Sequence, residues 1–518
     1  MNIASLCEWA SLNFNDKIAF IDSTRRLTFR EFDEEANRLA HGLASLEVGK
    51  GHRVAIVMEN CIEYVLTMFA ITKLGAVIVP LLVKSTKPEM AQWFTTAEVG
   101  MVVTSASVAP DVLAASAECP QPIAIVTVGA SAAAIATYDT LVAGSPRTSP
   151  GRSISADDLF AIRFTGGTTG VPKGVMMSHR NYVCIYTNQL LNLPITRNDI
   201  ALHVHPLSHA AGQLMFGYFA SGATQVIQRA FGFSATEFFD VVKRYRISSV
   251  FIIPTVLNSL LTSEVLAGAD TSSLRSIVYG GAPIAPERLK QGLAAFGNVF
   301  VQIYGSSEAA QVGTTLTLED HRYEGDTPPP RLRSVGRAGL NIELRIVDEA
   351  GTSLPTGEIG EIAIRGEHTM VGYWKNPELT ALRVREGWVF TGDMGYLDDQ
   401  GYLYLVDRKD DMIITGGFNV WPTEIEAILY SHHAVKEVAV FGVPNEKWGE
   451  AVTAVVVPRD DAHVTPEDII AFASSRLTKY KVPKVVAITS TPIPKSAVGK
   501  PLRRATREQY LANAEADK

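Results

Sequence analysis

The chain has 518 residues, room for roughly three to five folding units or fewer if one large α/β body merges several, and this excludes a lone binding module. Apolar residues make up 47% and charged residues 19%, which excludes a disordered or fibrous chain and allows a large core. A net charge of −7 denies the whole surface the positive field that non-specific binding to nucleic acid or anionic membranes requires.

The first seventeen residues, MNIASLCEWASLNFNDK, lack the basic start and continuous apolar stretch of a signal peptide, and no run of apolar residues is long enough to span a bilayer. Cys7, Cys61, Cys119 and Cys184 are too scattered for a disulfide framework or a metal knuckle. The expectation is a cytoplasmic protein without an integral membrane part or a nucleic-acid partner. Helical spacing over 32–46 and 62–74 alternates with strand-like runs at 53–58 and 76–83, a βαβ rhythm that predicts a largely parallel sheet. Residues 130–136 and 145–153 read as surface connections. Strands over 245–254, 275–284 and 298–308 each end in glycine or a polar turn, where sites in open α/β sheets gather. Beyond about Pro328 short strands with glycine turns predict a β-rich subdomain, and after 411 a fresh set of helices and strands predicts a separate α+β domain.

The stretch FTGGTTGVPKGV, residues 164–175, holds four glycines, three threonines and one lysine after a strand-like AIRF. Glycines let successive backbone N–H groups turn toward one anion; threonine hydroxyls add donors and Lys173 adds charge, so the loop is built to grip phosphate. No Gly-Lys-Ser/Thr stands in the frame of a Walker A loop. This segment resembles the phosphate loop of the adenylate-forming superfamily of acyl-CoA synthetases, adenylation domains and firefly luciferase. Further motifs of that superfamily follow in order: PLSHAAG (206–212) resembles its acyl-pocket motif, YGSSE (304–308) its Tyr-Gly-x-Thr-Glu motif, TGD (391–393) its ribose motif, DRKDDMIITGGFNVWPTEIE (407–426) its hinge motif, and PKSAVGKPLRR (494–504) the motif of its catalytic lysine. LTFREF and GHRVAIVMEN extend the likeness toward the N-terminus.

The resemblance implies a mixed α/β fold: a large N-terminal domain (1–408) with α/β sheets and a β-rich subdomain, and a small mobile α+β domain (409–518). It implies ATP, Mg²⁺ and coenzyme A as cofactors and cosubstrates, and a carboxylic acid as the partner to be activated. Thr165, Gly166, Gly167, Thr168, Thr169, Gly170 and Lys173 would hold phosphates. Gly281, Ala282 and Pro283 would face the adenine across from Tyr304, with Gly305, Ser306 and Ser307 beside them. Asp393 and Arg408 would take the ribose, and Glu308 the metal. His209, Ala210, Gly212, Gly280, Gly281 and Tyr304 would contact the acid. Lys500 would bridge the attacking carboxylate and the α-phosphate, a place where a preorganised cation lowers the barrier as charge develops. Asp410 would be the hinge, and Gly416, Gly417 and Trp448 would face coenzyme A.

Read without the resemblance, several of these residues have plainer explanations. Glu308 and Lys500 are then solvated charges, Tyr304, His209 and Trp448 packing residues, and Asp393 with Arg408 a surface ion pair. The basic residues Lys479, Lys481, Lys484 and Arg503 either meet coenzyme A phosphates or form a solvated face. Gly166 stands where the superfamily usually has Ser, Ser307 where it has Thr, Asp407 where Gly is common, and Leu82 where many members carry Asn. The expected activity is AMP-forming ligation of a fatty or aromatic monocarboxylic acid to coenzyme A, from a pocket lined near Tyr186 and residues 209–212, 252–254, 280–282 and 304–306. Its rivals are a stand-alone enzyme that loads a carrier protein, a luciferase-like oxygenase and a non-catalytic nucleotide-binding scaffold. Oligomeric state is not legible in the sequence, and a homodimer is carried as the expected assembly.

Overall fold

The computed structural model describes residues 1–165, 173–229, 232–282, 284, 286–309, 311–325, 327–459, 462–495 and 501–516, with the backbone alone for 165 and 514–516. They form two compact units, one of Met1–Leu344 with Ile364–Thr391 and one of Arg345–Ala363 with Gly392–Lys518. A large α/β body and a smaller C-terminal α+β body are the fold that the sequence implied.

The first unit holds two large sheets. In the eight-stranded one, Val77–Pro80, Arg53–Val57, Met101–Ser105 and Ala124–Val128 run parallel side by side, as the βαβ rhythm predicts. The helix Ile62–Lys73 connects the first pair; nearly every residue of it is buried, so its sequence is apolar on all sides rather than on one stripe. Leu159–Thr165 and Lys173–Ser178 continue this sheet as an antiparallel hairpin, and the short strand Gly372–Tyr373 pairs beyond them at its edge. Ala136, read from sequence as part of a surface connection, instead enters the short edge strand Ala136–Thr137, which pairs through backbone groups and needs no apolar side chain.

In the nine-stranded sheet, Phe300–Tyr304, Ser276–Gly280, Ser249–Ile252, Ile200–His203 and Thr224–Ile227 are parallel neighbours. Their C-terminal ends therefore share one edge, and the loops leaving them lie next to one another. Phe219 packs against Phe20, Phe29, Phe32 and Phe69 with ring centroids 5.1–5.8 Å apart, joining the N-terminal helices to the body of the unit. Each such buried ring contributes about 2 to 3 kcal/mol of apolar burial.

In the second unit Gly392–Leu397 pairs with the strand Leu403–Arg408, so that Asp393 lies directly across from Arg408. A five-stranded sheet built on the long hairpin Val435–Asn445 and Gly449–Pro458 packs against the helices Pro422–Tyr430 and Pro466–Ser474 through Ile425, Leu429, Val440, Val456 and Ile469. Among the described residues no helix is long and apolar enough to cross a membrane.

Candidate active site

The phosphate-loop motif is carried by the antiparallel hairpin, in which Thr165 and Lys173 are register partners that bracket residues 166–172. Gly166, Gly167, Thr168, Thr169 and Gly170 lie outside the described residues, as do Pro283 and Lys500.

Four other predicted segments meet at the C-terminal edge of the nine-stranded sheet. His209 follows Ile200–His203 and is the N-cap of the helix Ala210–Ser221, with its Nδ1 3.2 Å from Ser208 Oγ. Ile253 follows Ser249–Ile252, and its N–H donates to His205 Nε2 at 3.3 Å. An imidazole that accepts there is neutral, in keeping with burial pushing His205 down to about 4. Gly280 ends the next strand opposite Ile303; a Cβ on Gly280 would stand 2.4 Å from Ile303 O, so only glycine lets these two strand ends approach. Gly281 takes a positive φ of 81° and turns the chain away toward Ala282. Tyr304 ends the neighbouring strand and is buried.

Past Tyr304 the chain folds back on itself. Gly313 N donates to Tyr304 O at 2.8 Å, and Gly305 passes close enough to Gln311 that a Cβ would lie 3.0 Å from its backbone. Ser306 Oγ accepts from the N–H groups of Glu308 and Ala309 at 3.2 and 3.0 Å, fixing the turn that displays Glu308. The Glu308 carboxylate accepts from the Tyr373 hydroxyl at 3.0 Å, and Glu308 O accepts from Met370 N at 2.8 Å. Burial, reinforced by Glu308, pushes the Tyr373 phenol well above its ordinary range, so it remains a donor. Gln311 ties this loop to the His209 helix through Nε2, which donates to Ala210 O at 2.6 Å. Tyr373 and Gln311 carried no local sequence signal, because each acts across a distance in the chain that no motif spans.

Gly212 is required for its size: a Cβ there would fall 1.8 Å from Leu207 O. Tyr186, expected at the acid pocket, packs instead in the main core and places its hydroxyl 2.9 Å from Met1 Sδ. Among the described residues no three His, Cys, Asp or Glu side chains converge as a metal cage. One carboxylate fits magnesium nonetheless, because that ion keeps several waters and is held by one or two carboxylates together with substrate phosphates.

Within the second unit, Arg408 Nε meets Asp393 Oδ1 at 2.6 Å, with the aspartate buried and the arginine exposed. Asp410 lies in the short turn Lys409–Asp411 directly after that strand. Gly416 and Gly417 have φ of 59° and 82°, and Gly416 N donates to Trp448 O at 2.7 Å. Nothing lies within 4 Å of where a Gly417 Cβ would be, whereas Gly416 backs onto the Trp448 ring. The Trp448 ring is exposed, with Lys447 Nζ and Lys484 Nζ 4.9 and 5.7 Å from its centroid. Lys481, by contrast, is paired with Glu424, and Arg503 is sunk in a cluster of carboxylates. Of the two readings left by the sequence, contact with coenzyme A phosphates or a charged solvated face, the pairing with Glu424 favours the second for Lys481, whereas Arg503 fits neither because it is drawn into carboxylates far away in sequence.

The model of the AMP-binding enzyme family matches residues 7–374, and that of the AMP-binding enzyme C-terminal domain matches residues 424–500. The chain belongs to the AMP-binding enzymes, the adenylate-forming superfamily that its motifs resemble. It is 34% identical over 486 residues to a feruloyl-CoA synthase of an Amycolatopsis species, covering 93% of this chain and 94% of that protein. It is 33% identical over 488 residues to a long-chain-fatty-acid–CoA ligase of Mycobacterium tuberculosis, covering 94% of each. Among solved structures, the ATP-bound MatB of Rhodopseudomonas palustris superimposes with a TM-score of 0.88 at 29% identity, covering 98% of this chain and 99% of that one.

Proposed function

We propose that the protein is an AMP-forming carboxylate–CoA ligase acting on a fatty or aromatic monocarboxylic acid. The observation that carries this reading is the gathering of His209, Gly280 to Ala282, Tyr304 and the Tyr373-oriented Glu308 on adjoining strand ends. The similarity to a feruloyl-CoA synthase and a long-chain-fatty-acid–CoA ligase supports the choice of acid class, since the two differ in acyl group and share the carboxylate and the thiol.

In the first step the acid's carboxylate oxygen attacks the α-phosphorus of ATP and pyrophosphate leaves, giving acyl-AMP. In the second the thiol of coenzyme A attacks the acyl carbon and AMP leaves. The adenylate turns a poor leaving group, oxide, into a good one. Glu308, held by Tyr373 and by the Ser306 turn, supplies the carboxylate that would hold magnesium, and the ion neutralises phosphate charge when bound. Thr165, the glycines and threonines after it and Lys173 take phosphates, and Asp393 with Arg408 takes the ribose. His209 contacts the acid, and Lys500 stabilises the charge that develops between carboxylate and phosphate. Gly416, Gly417 and Trp448 form the face for coenzyme A, with Asp410 as the hinge between steps. A cytoplasmic location belongs to the same reading and rests on the four scattered cysteines.

The test is pyrophosphate release that depends on both ATP and a carboxylic acid, followed by thioester formation with free coenzyme A. A panel of aliphatic, aryl and arylalkanoic acids defines the substrate. Lys500→Ala is expected to lower adenylate formation by orders of magnitude. Turnover of dicarboxylates or amino acids in preference to monocarboxylates would overturn the pocket reading, and an adenylate with no thioester would favour carrier loading.

A further inference from the structure

The turn that carries His209 is held from outside by Asn60, the last residue of the stretch GHRVAIVMEN, to which the motifs attach no role. Asn60 lies just past the strand Arg53–Val57 of the eight-stranded sheet and is 7% exposed. Its Nδ2 donates to His205 O at 2.8 Å and to Gln228 O at 3.1 Å, while its Oδ1 accepts from Leu207 N at 2.9 Å. His205 and Gln228 follow the ends of two neighbouring parallel strands, Ile200–His203 and Thr224–Ile227, in the nine-stranded sheet. One carboxamide thus spans the two sheets of the first unit at the edge where the candidate site gathers.

The chemistry of this contact is specific. Two carbonyls and one N–H converge on a single side chain, and a primary amide offers two donors and an acceptor in one plane. Aspartate would turn an oxygen toward two carbonyl oxygens, and an apolar side chain would remove the Asn60 partner of two part-buried carbonyls and of the buried Leu207 N–H. The clamp acts on Leu207, which is constrained on every side. Its N–H is held by Asn60, its carbonyl fills the space that glycine leaves at position 212, and its side chain is buried in the core. From Leu207 the constraint reaches His209 within one turn, because His209 N donates to Pro206 O at 3.1 Å and Gly212 N donates to His209 O at 3.1 Å.

We infer that Asn60 is a positioning residue for the acid-binding turn: it sets the place of His209 at the start of the helix Ala210–Ser221. This rests on the reading of His209 as a contact of the carboxylic acid, and it adds a residue, on a different sheet, through which that contact is made. A displacement of about 1 Å at a reacting group costs up to about a hundredfold in rate. The substitution Asn60→Ala is therefore expected to raise KM for the acid about tenfold or more while KM for ATP stays within about twofold.

The experiment is a double-mutant cycle on the full chain. Wild type, Asn60→Ala, His209→Ala and the double variant are compared by acid-dependent pyrophosphate release, with KM read for acid and for ATP. Asn60→Ser, smaller and still carrying a hydroxyl that can donate to one of the carbonyls or accept from Leu207 N, replaces Asn60→Ala if that variant does not fold. The expected result is that the Asn60 substitution loses its effect on acid KM once His209 is gone. Additive effects, equal increases in both KM values, or a lowered melting temperature with acid KM unchanged would overturn the inference while the ligase reading stands. If His209→Ala leaves acid KM unchanged in an active enzyme, the role of His209 falls and the inference falls with it. A wild type that releases no pyrophosphate with any acid overturns the ligase reading itself.

Discussion

The hydroxyl of Tyr373 donates to Glu308 Oε1 at 3.0 Å across 65 residues of chain. Tyr373 comes from the short strand Gly372–Tyr373 at the edge of the eight-stranded sheet, whereas Glu308 leaves the end of the nine-stranded one. A hydrogen bond to a charged acceptor contributes about 1.5 to 3 kcal/mol. Tyr373→Phe is expected to cost roughly tenfold or more in the efficiency of pyrophosphate release, with the loss greatest at low magnesium. A magnesium titration of initial rates checks this, and unchanged kinetics would mean that Glu308 needs no such orientation.

Trp448 offers an exposed indole face flanked by two ammonium groups, in a hairpin turn backed by Gly416. Stacking of a base on such a ring is worth about 1 to 3 kcal/mol. Trp448→Ala should raise KM for coenzyme A about tenfold and leave acid-dependent exchange of pyrophosphate with ATP unaltered. A change in the exchange reaction of the same size as the change in thioester formation would count against a role confined to the thiol substrate.

Much of this arrangement is legible in the sequence because its signals are local. The helix predicted over 62–74 is Ile62–Lys73, and the strand predicted over 53–58 is Arg53–Val57, since a nearly continuous apolar run reports an element buried all round and its length separates helix from strand. The strand-end motifs follow from glycines that close approach demands, as at Gly280 and Gly212. What the sequence conceals depends on partners brought by the fold. Arg503 reads as a surface cation but has a side chain only 17% exposed. Val312, a β-branched residue, takes a φ of 71°, a conformation that no propensity would assign to it. Tyr186 lies in the main core with its hydroxyl against Met1, a partner 185 residues away, and a helix sequence does not say which part of the fold it will meet.

Acid should begin to destabilise the first unit before its carboxylates titrate. Burial pushes His179, His203, His205, His321 and His368 each down to about 4. The unfolded chain takes up these protons near pH ~6.5, before the folded one does. The stability that neutral imidazoles confer is therefore complete above about pH 6.5 and is lost progressively as pH falls toward 4, at up to about 1.4 kcal/mol per pH unit for each histidine. Among the described residues neither ring nitrogen of His368 has a hydrogen-bond partner, so His368→Leu removes a titrating group without breaking a bond seen there. Urea denaturation between about pH 7.5 and about pH 5 should show a falling midpoint, with a shallower fall in that variant. A midpoint independent of pH in this range would show that these rings are protonated in the folded state.

Arg503 organises the second unit around one part-buried guanidinium. Its Nε and Nη2 reach the two oxygens of Glu426 at 2.8 and 2.6 Å, Nη1 reaches Asp407 at 2.6 Å and Asp411 at 2.8 Å, and Nη2 also meets Thr423 Oγ1 at 2.6 Å. Burial works against its charge, yet Glu426 and Asp407 hold its pKa above the ordinary arginine value. Asp407 itself accepts from Arg408 N at 2.8 Å and Thr423 N at 2.7 Å, so the aspartate that replaces the superfamily's common glycine serves both as a backbone acceptor and as a counter-charge. Removing the cation leaves three carboxylates facing one another; breaking a fully buried ion cluster from one side costs about 3 to 5 kcal/mol, and the partial exposure of Asp411 and Arg503 brings this one toward the lower end. Lysine cannot reproduce the fork that contacts four groups at once. Arg503→Met and Arg503→Lys should therefore both lower the melting temperature of the C-terminal unit, the former by about 10 °C or more. Asp407→Gly should cost less than Arg503→Met, because it withdraws one negative charge from an excess of them. Calorimetry on the full chain separates the outcomes. If Arg503→Lys melts with the wild type, the cluster needs only a point charge, and the planar geometry of the arginine contributes nothing.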